Sequence, residues 1–262
     1  MAKFSIDVRF MGGLNAAQEA AFQGAADRWA QIIVGDFPRI RIRGEIIEAL
    51  VIEASGAEID RGGGPEGNIL GQSAPTDFLP NGLPAEGFME FDTFDLGQME
   101  SDGTLFSVIL HEMGHVVGIG PIWKPKGLLA GTGTANPQFI GAKADKEWAK
   151  LSHLPANQLP VENRGGPGTA GVHWRETVFG GELMTGFISG ISQPLSRMTT
   201  ASLADLGYKV NLKKADPFTL PSHLEIRAMG IGADPDRVRR CTLGNKPRRK
   251  FKPKYWTEEA LV

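Results

Sequence analysis

Leu110-His111-Glu112-Met113-Gly114-His115-Val116-Val117-Gly118 decides how the rest of the chain is read. On an α-helix, residues four apart lie one above the other, so His111 and His115 present two imidazole nitrogens to one point. Glu112 is the next residue after His111, beside any water held there. This H-E-x-x-H spacing predicts a helix-borne zinc site of the hydrolytic kind, in which the metal acidifies water and the carboxylate takes the proton. Thr104 to Leu110 runs into the motif without proline, and Asp102 or Thr104 can cap the start. The apolar run predicts a buried helix whose polar atoms gather at the metal. Gly118 and Gly120 let the backbone leave at positive φ and Pro121 bars continuation, so the helix ends about one turn after His115. Two histidines on an ordinary core helix are the competing reading. The intervening Glu112 and the glycine stop argue against it.

The chain has 262 residues, 41% of them apolar, enough for one sizeable domain or two lobes around a cleft. A formal net charge of -2 exerts no overall pull towards nucleic acid or acidic membranes. With 34 glycines and 17 prolines, long shaped loops are expected rather than a helical bundle. A single cysteine, Cys241, excludes an intramolecular disulfide framework, so stability must come from the core and from bound metal. Met1 to Val8 alternates like a strand and holds no apolar signal region, and no segment reaches the roughly 18 to 20 apolar residues of a membrane span. A soluble chain without a visible address is the expectation.

Phe4, Ile6, Val8 and Phe10 share one face of a predicted strand. From Asn15, a cap, to about Val34 the apolar residues recur at helical spacing, and Phe22, Trp29 and Ile33 should pack on the sheet. Arg39 to Arg43 alternates, and Glu45 to Ala54 reads as a second strand. Arg61-Gly62-Gly63-Gly64-Pro65 lacks the context of a phosphate cradle and reads as a loop. Asn68 to Ala74 suits an edge strand, and Gly87 to Asp92 is a further strand before the motif helix. Beyond Pro121 the pattern is irregular to about Gly141. Helices follow over Lys143 to Leu151 and over Met198 to Leu206, the latter ending in a glycine cap at Gly207. Near Lys213 a basic extension begins, rich in Lys246, Arg248, Arg249, Lys250, Lys252 and Lys254. Prolines interrupt it and aromatic residues are few, so a solvated extension is expected and nucleic-acid binding is not.

A catalytic zinc site takes three protein ligands and leaves a position for water. In the compact H-E-x-x-H-x-x-G-x-x-H pattern the third histidine would fall at residue 121, which is proline. His153, His173 and His223 remain, with Glu162, Glu176 and Glu182 as carboxylate alternatives.

Gly171-Val172-His173-Trp174 and the following Glu182-Leu183-Met184 resemble the third-ligand region of leishmanolysin-like metalloproteases, a metzincin family. There an insertion separates the motif glycine, here Gly118, from the last histidine, and a Glu-Leu-Met segment carries the Met-turn. The resemblance runs from the first strand to about Asn211. It implies an α+β, zincin/metzincin-like fold: a twisted mixed sheet with the active-site helix, then an irregular C-terminal subdomain with the Met-turn and a C-terminal helix. It implies a catalytic domain over residues 1–212, with lobes at 1–120 and 121–212, followed by a basic extension over 213–262. His173 becomes the third ligand of one catalytic zinc ion, and Met184 forms the apolar floor beneath it, a role its flexible thioether suits. The single cysteine likens the chain to a bacterial-type member without disulfides. Cys241 could fold back onto zinc, though a buried or idle thiol is simpler.

The expected activity is zinc-dependent endopeptidase, acting on a protein or peptide laid along the edge strand, with Glu112 as general base. The long loop from Pro121 to Gly171 would wall the cleft. A catalytically silent, zinc-stabilised binding or effector module is the alternative, and it leaves Glu112 without a use.

Overall fold

The cap foreseen at Asn15 forms, closed into a capping box by Gln18, and it starts the first helix. The Asn15 side chain accepts from Gln18 N while the Gln18 side chain accepts from Asn15 N, which satisfies donors at the head of α1 (Ala16–Ile32). The computed structural model describes residues 2–59, 70–155, 159–166, 168–186, 193–229 and 253–262. Within them a five-stranded sheet carries the helices. Its strands are β1 (Ile6–Phe10), β2 (Leu50–Ala57), β3 (Gly71–Phe78), β4 (Pro84–Asp92) and β5 (Lys254–Tyr255). They lie in the order β5-β3-β4-β2-β1. β1, β2 and β4 are mutually parallel, and β3 runs antiparallel to β4 with β5 parallel beside it. Ile6, Leu50, Ile52, Ala54, Ala85, Met89 and Phe91 are buried, whereas the intervening Asp7, Glu53, Glu86 and Glu90 are not. That alternation puts one face of the sheet against the helices.

α1 ties the sheet to the motif helix. Phe22 meets Phe91 of β4 edge-on at 5.5 Å between ring centres, and Trp29 Nε1 donates to Leu110 O at 3.0 Å. After β4 come α2 (Thr93–Asp102) and α3 (Leu105–Val117). Gly118 ends α3 with φ 118°, one residue after Val117, as its position in the sequence requires. The remaining helices are α4 (Ala142–Ser152), α5 (Glu176–Phe179), α6 (Arg197–Leu206) and α7 (His223–Ala228). Because Gly141 offers α4 no side-chain cap, Asp205 of α6 takes that part, accepting from Lys143 N and Ala144 N at 2.9 and 2.8 Å. Trp123, Phe139, Trp174 and Phe179 fill the space below α3, with Trp123 and Trp174 centred 4.5 Å apart. Among the described residues no helix is long and apolar enough to cross a membrane.

Several expectations need correction. The single strand over Glu45 to Ala54 is two: Glu45–Ile47 pairs back on Ile40–Ile42 as a hairpin, and β2 starts afresh at Leu50. The hairpin turns at Arg43-Gly44, where Arg43 has φ 49°. The edge strand reaches Phe78 rather than Ala74, and Asn68 and Ile69 lie outside the described residues. α2 was not anticipated, although Asp92 caps it by accepting from Phe94 N at 2.8 Å. Asp102 therefore closes α2 instead of opening α3, and Thr104, at the head of α3, makes no side-chain cap. In the C-terminal extension, residues 253–262 are docked instead of free. Tyr255 stacks on Phe78 with centres 4.8 Å apart, Trp256 Nε1 donates to Asp77 Oδ1 at 3.0 Å, and Val262 N donates to Arg39 O. The glycine-rich stretch 61–65, Cys241 and the basic cluster 246–252 lie outside the described residues.

The motif helix lies unusually close to the sheet at Gly87 of β4. A Cβ there would run into Val116 Cγ1 of α3 and stand 2.8 Å from Ala74 O. Gly87→Ala should therefore destabilise the fold by about 1–3 kcal/mol, read as a lower urea midpoint at unchanged slope.

Candidate metal centre

Burial sets the chemistry of α3. His111, Glu112 and His115 are 3%, 1% and 0% exposed, on a helix whose other residues, Ser107 apart, are apolar. Their spacing places the two imidazoles one turn apart, with ring centres 4.7 Å apart and planes at 83°. His173 arrives from a separate turn and is held by its neighbours' backbones. Glu162 N donates to His173 O at 2.8 Å, and Trp174 N donates to Met184 O at 3.0 Å.

The three Nε2 atoms meet. His111 and His115 are 3.0 Å apart, His115 and His173 3.0 Å, and His111 and His173 3.2 Å. Every Nδ1 lies against a backbone carbonyl: Leu183 O for His111 at 2.6 Å, Ile119 O for His115 at 2.8 Å, and Thr169 O for His173 at 3.0 Å. A carbonyl only accepts, so each ring donates through Nδ1–H and turns a lone pair on Nε2 towards the other two. Burial opposes charging these rings. It holds His111 below the ordinary imidazole range, His115 well below it and His173 down to about 3; for His115 and His173, the neighbouring imidazoles push the same way.

Such a donor set fits a metal ion. Three neutral, buried lone pairs aimed at one point repel one another unless a cation sits between them. Imidazole nitrogens about 2.0–2.1 Å from a tetrahedral zinc stand about 3.3 Å from each other, close to the observed triangle. Among the described residues, His111, His115 and His173 are the group of side chains able to share a metal.

The other candidates fall elsewhere. His153 ends α4 with φ 58° and is exposed, and His223 opens α7 at the surface. Glu162 spends its carboxylate on the backbone, accepting from Asn163 N, Arg164 N and Glu176 N at 2.9, 2.9 and 2.8 Å. Glu182 accepts from Met184 N at 2.7 Å, Ser196 N at 3.1 Å and Thr199 Oγ1 at 2.5 Å. Burial pushes the Glu182 carboxyl up, against those hydrogen bonds. Met184 is fully buried against the motif helix. A Cβ added at Gly114 would stand 2.8 Å from its Sδ and 3.0 Å from Trp29 Cζ2.

Sequence reasoning missed two residues here. Glu182 was weighed only as a ligand, whereas its carboxylate accepts from the backbone N–H of Met184, two residues on, and ties the turn. Ser73, on β3, donates from Oγ to Glu112 Oε2 at 2.5 Å, and no local pattern announced it.

Comparison with known proteins bears on the half of the site that α3 does not supply. No curated protein matches the chain. A family model described as leishmanolysin, a peptidase family, matches residues 148–224, which include His173 and Glu182-Leu183-Met184. The H-E-x-x-H motif lies outside that match, so motif and match are separate observations that meet at one triangle of nitrogens. The similarity to leishmanolysin is thus to residues 148–224, the segment that completes a histidine triad positioned to bind a metal.

Proposed function

We propose that the chain is a zinc-dependent endopeptidase with His111, His115 and His173 as the ligands of one zinc ion and Glu112 as general base. The observation that supports this most is the convergence of three Nε2 atoms, two of them from the helix that also carries the buried Glu112. When bound, zinc supplies Lewis acidity, which makes water a usable nucleophile near neutral pH and polarises a scissile carbonyl.

The chain's own groups do the rest. Burial keeps the imidazoles neutral, and the Leu183, Ile119 and Thr169 carbonyls keep them aimed. Glu112 takes a proton from water and returns it to the departing amine. Met184 packs on Gly114 under the ligand pair as the Met-turn residue. The substrate is a protein or peptide that joins the sheet along β3, pairing with backbone between Gly71 and Thr76. The catalytic unit is residues 1–212, the ligands coming from both sides of residue 120. A merely structural zinc site would have no use for a carboxylate held beside it, and this disfavours a catalytically silent binding module.

Cleavage of a quenched fluorescent peptide, with zinc measured after dialysis, tests the reading. Glu112→Ala should keep stoichiometric zinc and lose about 10²- to 10⁴-fold in turnover. Undiminished cleavage by that variant would refute the role of the base. His173→Ala should lose both zinc and activity, and tight stoichiometric zinc in His173→Ala would remove it from the ligand set.

A further inference from the structure

Ser73 sits where the packing asks for something small and apolar. It faces the helices from β3, is 3% exposed, and lies directly across from Met89 of β4. Its neighbours on this face are governed by space. A Cβ at Gly71 would come within 2.8 Å of the Phe91 ring, and the close approach of Val116 at Gly87 leaves no room there either. Alanine would fill the Ser73 position at almost the same volume and without a hydroxyl to desolvate. A buried hydroxyl is costly unless it is bonded. This one is bonded to Glu112 Oε2 at 2.5 Å, a contact that joins the strand to the helix at the carboxylate next to His111.

From this geometry we propose that Ser73 is a positioning residue for Glu112, a role that rests on the peptidase reading above. A carboxylate that acts as a base gains from restricted rotation about its last bond. A hydrogen bond to an ionised acceptor is short and strong, and it stops that rotation. With Oε2 held by Ser73, the carboxylate keeps one orientation while the proton leaves water for it and then passes to the amine as the C–N bond breaks. Glu112 finishes as a carboxylate, and Ser73 keeps its own proton throughout. Ser73 also belongs to the strand whose edge would carry the peptide, so one residue registers the base against the substrate's platform.

The experiment compares wild type, Ser73→Ala, Ser73→Thr, Glu112→Gln and the Ser73→Ala/Glu112→Gln double variant. It reads kcat and KM on a fluorogenic peptide, zinc content after dialysis, and urea unfolding of the metal-free proteins. Ser73→Ala should lower kcat about 10- to 100-fold, the scale of a displaced catalytic group, with KM and zinc content within about twofold of wild type. Ser73→Thr, which keeps the hydroxyl, should recover most of the loss. Ser73→Ala should cost nothing further in the Glu112→Gln background, and the unfolding midpoints should be non-additive.

A kcat for Ser73→Ala within about twofold of wild type overturns the proposal. So does a raised KM at unchanged kcat, which marks a substrate contact. Loss of zinc or of folding in Ser73→Ala makes the hydroxyl structural and overturns it too. If Glu112→Gln is inactive while Ser73→Ala is not impaired, only the positioning role falls. If wild type cleaves no peptide, or Glu112→Gln cleaves as well as wild type, the peptidase reading falls and takes this role with it.

Discussion

The arrangement depends on three hydrogen bonds from imidazole Nδ1 to backbone carbonyl oxygens, at Leu183, Ile119 and Thr169. They select the tautomer of each ring and fix its plane, and only then do the Nε2 atoms point at a common centre. Each carbonyl can turn to an imidazole because the chain has left regular structure there. Ile119 lies one turn beyond His115, and its carbonyl reaches the ring because Gly118 has ended the helix with φ 118°. Leu183 sits in the turn between Glu182 and Thr185, and Thr169 in the turn leading to His173. The irregular segments beyond Gly118 are thus what supply oriented acceptors. A run of helix would have consumed these carbonyls internally.

Turns without a helix or sheet behind them need other anchors, and buried carboxylates provide them. Glu182 gathers Met184 N, Ser196 N and Thr199 Oγ1, and Thr199 Oγ1 in turn accepts from Trp174 Nε1 at 2.7 Å. The residue after the third histidine is therefore tied through Thr199 to the turn that orients the first. Glu162 does the same work on the other side of His173, where its backbone N–H also holds His173 O. Burying these carboxyls costs solvation, and the cost is met by several charge-assisted bonds each. A neutral amide at either site would forfeit part of that compensation while remaining buried.

Local rules revealed some of this and not the rest. The motif helix, its glycine stop, the Asn15 cap, α4 and α6 were legible because each is written within a turn or two of sequence: a period, a cap, a breaker. α2 was obscured by Gly97 and by charged residues on its exposed face, and its cap at Asp92 looked like the end of a strand. His173 could be singled out only through family resemblance, since more than fifty residues, α4 among them, separate it from the motif glycine and no local spacing encodes its approach to α3. Ser73 and Glu182 were harder still. Their meaning lies in contacts between elements, where a serine at a helix-facing strand position reads as a break in the apolar pattern until its partner is known.

The antiparallel strand β3 shows why the sheet stops where it does. An unpaired strand edge is a liability, commonly blunted by covering it or by keeping it short. At its far end β3 is covered: β5 pairs with Asp77 and Phe78, Tyr255 stacks on Phe78, and Asp77 accepts from Trp256. From Gly71 to Thr76, beside Ser73 and Glu112, no strand among the described residues pairs on that side. Strand addition by an extended peptide needs unpaired backbone within reach of the base, and it needs nothing at Asp77 and Phe78. Among the described residues, the paired and unpaired stretches of β3 divide where the strand addition proposed above would need them to.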